Sequence, residues 1–458
     1  MSNYLLIGGL LLVMGFAYRS GARRSRAVAK SSSTHLHSLP SHYGTMVALA
    51  CGLPALAFLA LWALFQPVLV NWVVMSGAPA DIAALSAPEI AQIVNRVSSI
   101  ASGYGVADTP SAFEQAAASR LGTFLNIVSL AKIVVAASLA IGGFVFALRR
   151  IAPQFRARNV VESVIRVALI LCSTVAILTT VGIVLSMLGE TLRFFSFVNP
   201  LDFFFGLNWN PRFSSTGSAS GGDYGLLPLL SGTLLITLIA MLVAVPIGLM
   251  IAIYLAEYAH PKVRTVTKPV IEILAGIPTI VFGFFALTTV GPFFAEIGEL
   301  VGIQIRATSA LTAGVVMGIM IIPFISSLSD DIITQVPGAM RDGSLALGST
   351  RSETIKRVIL PAALPGIVGA FLLAVSRAIG ETMIVVLAAG NSPVLHGNPF
   401  EAVSTVTVSI VNQLTGDLDF ASPQALVAFA LGLTLFSITL GLNVVALYIV
   451  RKYREQYE

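Results

Sequence analysis

Charge is scarce in this chain. Only 11% of its 458 residues are Asp, Glu, Lys or Arg, against about 25% in a soluble globular protein. A water-solvated fold is excluded on that count alone. Cysteine is nearly missing: Cys51 and Cys172 both lie in apolar segments without partner spacing, which indicates neither a disulfide nor a thiolate metal site. No Gly-Lys dipeptide occurs anywhere, so the chain lacks the G-x-x-x-x-G-K-[ST] loop that cradles nucleotide phosphates. No nucleophile–base constellation stands out. Of the five histidines, His35, His37 and His42 fall in a basic connection, His260 precedes Pro261, and His396 falls in a polar loop. They are expected to be solvated. This chain by itself carries no evident bond chemistry.

What is abundant is apolar: 56% of the residues, arranged in long continuous runs. Backbone groups in lipid must pair inside the protein, which leaves helices or a closed barrel. Continuous rather than alternating runs select helices. Nine candidate spans follow, at 4–18, 46–65, 125–148, 167–188, 227–255, 270–290, 311–325, 364–389 and 426–450. Alternate connections divide nineteen Lys/Arg residues against five. Basic residues mark the cytoplasmic side, so the prediction is an external amino terminus and a cytoplasmic carboxyl terminus. The net charge of +5 is then an orientation signal rather than a nucleic-acid surface. Basic residues follow the first apolar run instead of preceding it, so that run is expected to be a retained anchor rather than a signal peptide.

Four regions are expected. Residues 1–158 form an extension with three spans and an external loop, whose segment "EIAQIVNRVSSI" has helical apolar spacing and reads as a surface helix. Residues 159–226 hold the first core span and an aromatic-rich external loop ending in a Ser/Gly linker, its aromatics expected to anchor at the headgroups. Residues 227–450 hold the remaining five spans, and 451–458 form a cytoplasmic tail. Pro246 with Gly248, and Gly276 with Pro278, interrupt two neighbouring spans. Lys268 and Glu272, four residues apart, are expected to pair on a helix face.

Two stretches carry functional meaning. The connection at 329–367 is amphipathic, interrupted at Gly343 and Gly348, and reads as two short helices broken at Gly348 and stopped at Pro361. Such a segment either lies on the membrane surface or inserts its apolar face into a partner's groove. The second stretch is "FLLAVSRAIGETMIVVLAAG", a predicted span with Arg377 and Glu381 near its middle. An arginine there costs about 2.5–3.5 kcal/mol on insertion scales, and an exposed i,i+4 pair returns only about 0.2–0.5 kcal/mol. Intramembrane charges usually face an interior pathway. Ser376 and Gly380 beside them complete a small polar stripe. A guanidinium suits bidentate oxyanion contacts, and Glu381 would hold it or accept a proton-bearing oxygen.

Asp342-Gly343-Ser344, then Gly348, then Val358-Ile359-Leu360-Pro361 resembles the EAA loop of ABC-importer permeases. The spacing is kept, with Gly348, Leu360 and Pro361 matching in identity. "SRAIGETMIVVLAAGN", with Arg377, Glu381 and Thr382, resembles the corresponding helix of permease subunits of the high-affinity phosphate importer. Trp209-Asn210-Pro211 resembles the PstC-type subunit. The resemblance covers the chain from about residue 160 onward. It implies an all-α polytopic membrane protein: a six-helix type I ABC-importer permease core plus about three extra amino-terminal helices, in the bacterial cytoplasmic membrane. It further implies that residues 338–361 couple to an ATPase and that Ser376, Arg377, Glu381 and Thr382 border the substrate route. ATP and Mg would be bound by the partner ATPase, with no cofactor in this chain. The implied partners are a homologous second permease, two cytoplasmic ATPase subunits and an external phosphate-binding protein. A sulfate- or molybdate-type permease, an ion-gradient-driven anion transporter and a membrane sensor are the alternatives.

Overall fold

The computed structural model describes residues 3–32, 36–79, 82, 87–103, 110–211, 222–416 and 422–454. His35, the Ser/Gly linker at 212–221 and the end of the tail, 455–458, lie outside the described residues. The chain divides into two compact units, Met1–Ile177 and Leu178–Glu458. Eight helices among the described residues are long and apolar enough to cross a membrane. The first of the nine runs predicted from sequence is not among them, although it does lie within a helix.

The first unit contains α1 (Asn3–Ser32), α2 (Pro40–Met75), α3 (Ala87–Ala101) and α4 (Ala112–Arg149), and α5 (Ala157–Phe194) begins in it. Helices α1, α2 and α4 pack around Leu10, Ala17, Tyr43, Val47, Cys51, Ala136 and Ala140. Pro54 lies inside α2 and can supply no N–H to the carbonyl four residues earlier, that of Ala50. That freed carbonyl points at Gly143 of α4, so close that a Cβ there would overlap it. The amphipathic α3 packs against α4 and the end of α2 through Val97, Val73, Val74, Ala117 and Leu121, and Arg96 pairs with Glu114 at 3.0 Å. Ser111 and Glu114 close a capping box that starts α4.

The second unit holds the remainder of α5; α6 (Pro200–Phe205); a two-residue antiparallel hairpin of β1 (Trp209–Asn210) and β2 (Asp223–Tyr224); and the span Leu227–Tyr258, of which α7 is Leu227–Ile253. Next come the amphipathic α8 (Pro261–Ala275) and a span Thr279–Val301 made of α9 (Thr279–Phe285), a π-helical turn and α10 (Gly291–Val301). The core helix α11 (Ala310–Gln335) follows, packed most closely on α7 through alanines, glycines and Ile236, Met317 and Ile321. Gly314 and Gly318 of α11 let the α7 backbone approach, as small residues do between membrane helices. Beyond it lie α12 (Gly338–Ala346), α13 (Arg351–Thr354), α14 (Leu360–Ile379), α15 (Met383–Ala388), α16 (Val406–Gly416) and α17 (Pro423–Arg454).

Four corrections to the expected helices have a local cause. The run at 270–290 is not one helix: α8 ends at Ala275, Gly276-Ile277-Pro278 turns the chain, and the crossing helix starts at Thr279. The run at 364–389 breaks at Gly380. Pro361 does not stop a helix, because residues 351–379 are helical throughout, with a π turn at Ile355–Ile359. Pro246 and Gly248 do not break α7 either; Gly248 instead seats the Ile325 side chain. The aromatic loop is partly internal, since Phe194, Phe203, Trp209 and Tyr224 are buried, with edge-on contacts Phe194–Phe203 at 5.6 Å and Phe194–Tyr224 at 5.7 Å.

Replacing Gly143 by Leu forces α4 off the Ala50 carbonyl. The expected loss is about 1–3 kcal/mol, the usual cost of overpacking, read as a lower midpoint of thermal denaturation in detergent. Gly142→Leu, where nothing lies within 4 Å, leaves the midpoint unchanged.

Candidate functional site

Helix α14 ends at Ile379 and α15 starts at Met383, so the chain between them is unwound inside a predicted span. Glu381 therefore does not share a helical face with Arg377, and no ion pair joins them. The freed polar groups find other partners. Gly380 and Glu381 donate their N–H groups to Ser376 and Ala378 carbonyls at 3.3 and 3.2 Å. The Glu381 carboxylate accepts from the Met383 N–H at 3.1 Å. The Glu381 carbonyl accepts from the hydroxyl of the buried Thr407 at 2.9 Å. Thr382 turns its hydroxyl to the Gly380 carbonyl at 3.4 Å. Gly283 of α9 holds α15 close: a Cβ at that position would come within 2.9 Å of the Met383 carbonyl.

Arg377 lies in the last turn of α14, where the partial negative charge of a helix carboxyl end favours a cation. Its guanidinium carbon stands 5.6 Å from the centre of the Phe324 ring, a cation–π contact. One Nη lies 3.9 Å from the Met320 sulfur. Both partners are neutral and one turn apart on α11. The cation is thus positioned without being neutralised. Phe324, Met320 and Thr407 were not legible as site residues, because an aromatic, a methionine and a threonine inside apolar runs read as core.

At the other end of the same unit, α8 is tied to α11 by charge. Asp330 is fully buried and accepts from Arg264 at 3.0 Å through each oxygen and from Lys268 at 2.9 Å. Lys268 also reaches Asp331 at 2.7 Å, and Arg264 reaches Thr334 at 3.0 Å. Lys268 pairs across helices rather than with Glu272. It is held above the usual lysine range chiefly by its hydrogen bond to Asp331, against the opposing effect of burial. A raised folded pKa gives stability that is present at neutral pH and lost as pH climbs through that raised value.

Next to this clamp, α12 buries none of its residues. Leu345 and Leu347 are 40% and 90% exposed, and Asp342, Gly343 and Gly348 are exposed as well. Gly348 has φ +89°, a left-handed conformation suited to glycine, which turns the chain between α12 and α13. Met340 packs against the cluster of Ile333, Val336, Ile355 and Ile359, and two polar contacts fix α12 in place. Arg341 pairs with Glu257 at 2.6 Å, and the Ser344 hydroxyl meets that of Thr354 at 3.0 Å. Leu360 and Pro361 continue into α14. His396 is not free in solvent: its Nε2 lies 3.0 Å from the Ala402 carbonyl.

An exposed, rigidly supported helix followed by G-x9-V-I-L-P, at the base of a bundle containing a broken helix, defines an ABC-importer permease. The family of binding-protein-dependent transport system inner membrane components matches residues 244–455. A second family, described as a phosphate ATP-binding cassette transporter, matches residues 7–179. Among curated relatives, a probable ABC transporter permease protein YqgH of Bacillus subtilis is 35% identical over 58% of this chain and 82% of its own length. The phosphate transport system permease protein PstC 1 of Mycobacterium tuberculosis is 34% identical over 56% of this chain and 83% of its own. A solved bacterial ABC transporter involved in alginate import superposes with a TM-score of 0.44 at 15% identity, covering 64% of this chain and 98% of that chain. The chain belongs to the PstC-type branch of the binding-protein-dependent importer permeases.

Asp330→Asn is expected to free α8 from α11. A fully buried pair broken on one side costs about 3–5 kcal/mol, and discounting for the partly exposed cations leaves about 1–3 kcal/mol. Asp331→Asn, on the more exposed carboxylate, costs under about 1 kcal/mol. Hydrogen exchange of residues 261–275 measures both, with fast exchange expected only for the first.

Proposed function

We propose that this chain is the permease subunit through which inorganic phosphate crosses the bacterial cytoplasmic membrane, driven by ATP hydrolysed in a partner. The observation that carries this reading is Arg377. It is a permanently charged group at a break in a membrane helix, held by an aromatic face and a thioether and paired with no carboxylate. A tetrahedral oxyanion would complete it with a bidentate contact. The substrate named for the relatives, phosphate, is such an anion.

In this reading Ser376, Arg377, Glu381 and Thr382 border the route at the break. Glu381, turned toward the Met383 N–H, shapes the unwound segment rather than neutralising the arginine. Asp342, Gly343, Ser344, Gly348, Leu360 and Pro361 form the coupling segment, whose exposed leucines enter a groove on a cytoplasmic ATPase. That ATPase, present in two copies, holds ATP and Mg; this chain holds no cofactor. A homologous second permease and an external phosphate-binding protein complete the assembly, with the amino terminus outside and the carboxyl terminus in the cytoplasm. ATP binding in the partners shifts the population between outward- and inward-facing states through differential contacts with the coupling segment.

The test is uptake of radiolabelled phosphate by membrane vesicles that contain the chain and its partners, with and without ATP and with excess sulfate. ATP-dependent uptake indifferent to sulfate supports the reading. Inhibition by sulfate overturns the substrate, and indifference to ATP overturns the coupling segment. Arg377→Gln is expected to lower uptake by at least tenfold, about 1.4 kcal/mol or more, in a complex that still assembles. Phe324→Leu, which keeps the cation but removes its ring, is expected to raise the half-saturating phosphate concentration more than it lowers the maximal rate.

A further inference from the structure

The first unit contains a groove that the transport reading does not use. It is about 280 Å³ in volume and runs between α2, the end of α4 and the start of α5. Met46, Leu53, Phe146, Phe155, Val160 and Val164 make most of its wall. Its lining also includes Arg150, whose guanidinium carbon lies 4.6 Å from the centre of the Phe146 ring. Arg149 and Arg156 are exposed in the same connection, while Arg158 pairs with Glu162 at 2.5 Å.

The groove is built in advance rather than left by loose packing. The connection beside it, residues 150–157, is pinned to α2 by the fully buried Tyr43, whose hydroxyl lies 3.1 Å from the Ala152 carbonyl and 2.7 Å from that of Phe155. The His37 N–H meets the Pro153 carbonyl at 3.0 Å, and the Ser38 hydroxyl accepts from the Arg158 N–H at 3.3 Å. Leu53, Phe146 and Val160 are 41%, 57% and 40% exposed, so the slot is open along its apolar length. Stacking on Phe146 orients the Arg150 guanidinium and leaves its donor edge free.

An apolar groove whose wall includes one stacked cation beside a basic connection matches one molecule abundant at a membrane surface. We propose that the groove holds an acyl chain of an anionic phospholipid, with Arg150 taking the headgroup phosphate. Basic pockets between membrane helices recognise lipid headgroups by this combination of charge and depth. A free phosphate ion would satisfy the guanidinium but leave the apolar wall empty. The proposal concerns the extension alone and stands whether or not phosphate is the transported anion.

The experiment is native mass spectrometry of the full-length protein with its partners, after equilibration with phosphatidylglycerol, phosphatidylethanolamine or inorganic phosphate alone. The expected result is a retained phosphatidylglycerol that survives activation stripping phosphatidylethanolamine, and that inorganic phosphate does not displace. Arg150→Gln is expected to lower the occupied fraction about fivefold, or about 1 kcal/mol at 1.4 kcal/mol per tenfold. Leu53→Trp, which fills the slot and keeps the cation, is expected to lower it similarly, whereas Arg149→Gln is not. Equal retention of the two lipids overturns the proposal. So does unchanged occupancy in both Arg150→Gln and Leu53→Trp. Displacement by inorganic phosphate replaces the lipid by a free oxyanion.

Discussion

In lipid an unpaired backbone N–H or C=O costs several kcal/mol, and most irregular features of this fold are ways of meeting that constraint. Two π turns illustrate it. The donors that close them, Gly291 and Leu360, stand one residue ahead of Pro292 and Pro361. A proline in an α-helix both lacks a donor and crowds the carbonyl four residues back. Widening the preceding turn to an i→i−5 bond relieves that crowding while keeping the neighbouring N–H paired. Pro54 meets the same constraint differently, because its orphaned Ala50 carbonyl is covered by the bare Cα of Gly143.

The break at 380–382 extends this logic to a place that carries charge. Unwinding a membrane helix frees carbonyls and N–H groups, and here Thr407 and the Glu381 side chain take them up. The same break gives α14 a carboxyl end inside one of the apolar runs, and Arg377 stands in that last turn. The partial negative charge of the helix end and the face of Phe324 support the cation without a counter-ion. A carboxylate in their place would stabilise the resting state more strongly and compete with any anion that arrived. Gly380 is thus part of what makes Arg377 tolerable.

The composition and the long runs made the membrane class and most of the spans legible. The helix break at Gly348 was legible too, because a left-handed turn is a local backbone requirement that glycine meets. The ends of helices were less legible. Residues 364–389 form one apolar run by hydropathy, and nothing in it says that the hydroxyl of Thr407, from another helix, will receive the Glu381 carbonyl. For the same reason Arg377 and Glu381 looked like an i,i+4 pair. Lys268 and Glu272 misled similarly, since spacing along one helix is visible in a sequence while the buried Asp330 of another helix is not. Phe324 and Met320 gave no signal, because only the fold brings their apolar side chains beneath a charged one.

The exposed helix α12 and the Arg377 cation are linked by few elements. Helix α12 fully buries no residue; besides the packing of Met340, polar contacts hold it at Arg341 on Glu257 at the end of the α7 span and Ser344 on Thr354 at the start of the α14 span. The α14 span runs without interruption from Arg351 to Ile379, so its first turn holds the coupling segment and its last turn holds Arg377. The α7 span lies along α11, and α11 carries both Phe324 and Met320. A force on α12 therefore reaches the guanidinium through one helix and the groups that hold it through another. Packed helices respond by moving as bodies between discrete arrangements rather than by bending continuously. A small relative shift of α14 along α11 would move Arg377 off the Phe324 ring, and in the proposed reading its hold on an anion would change without any change in its charge.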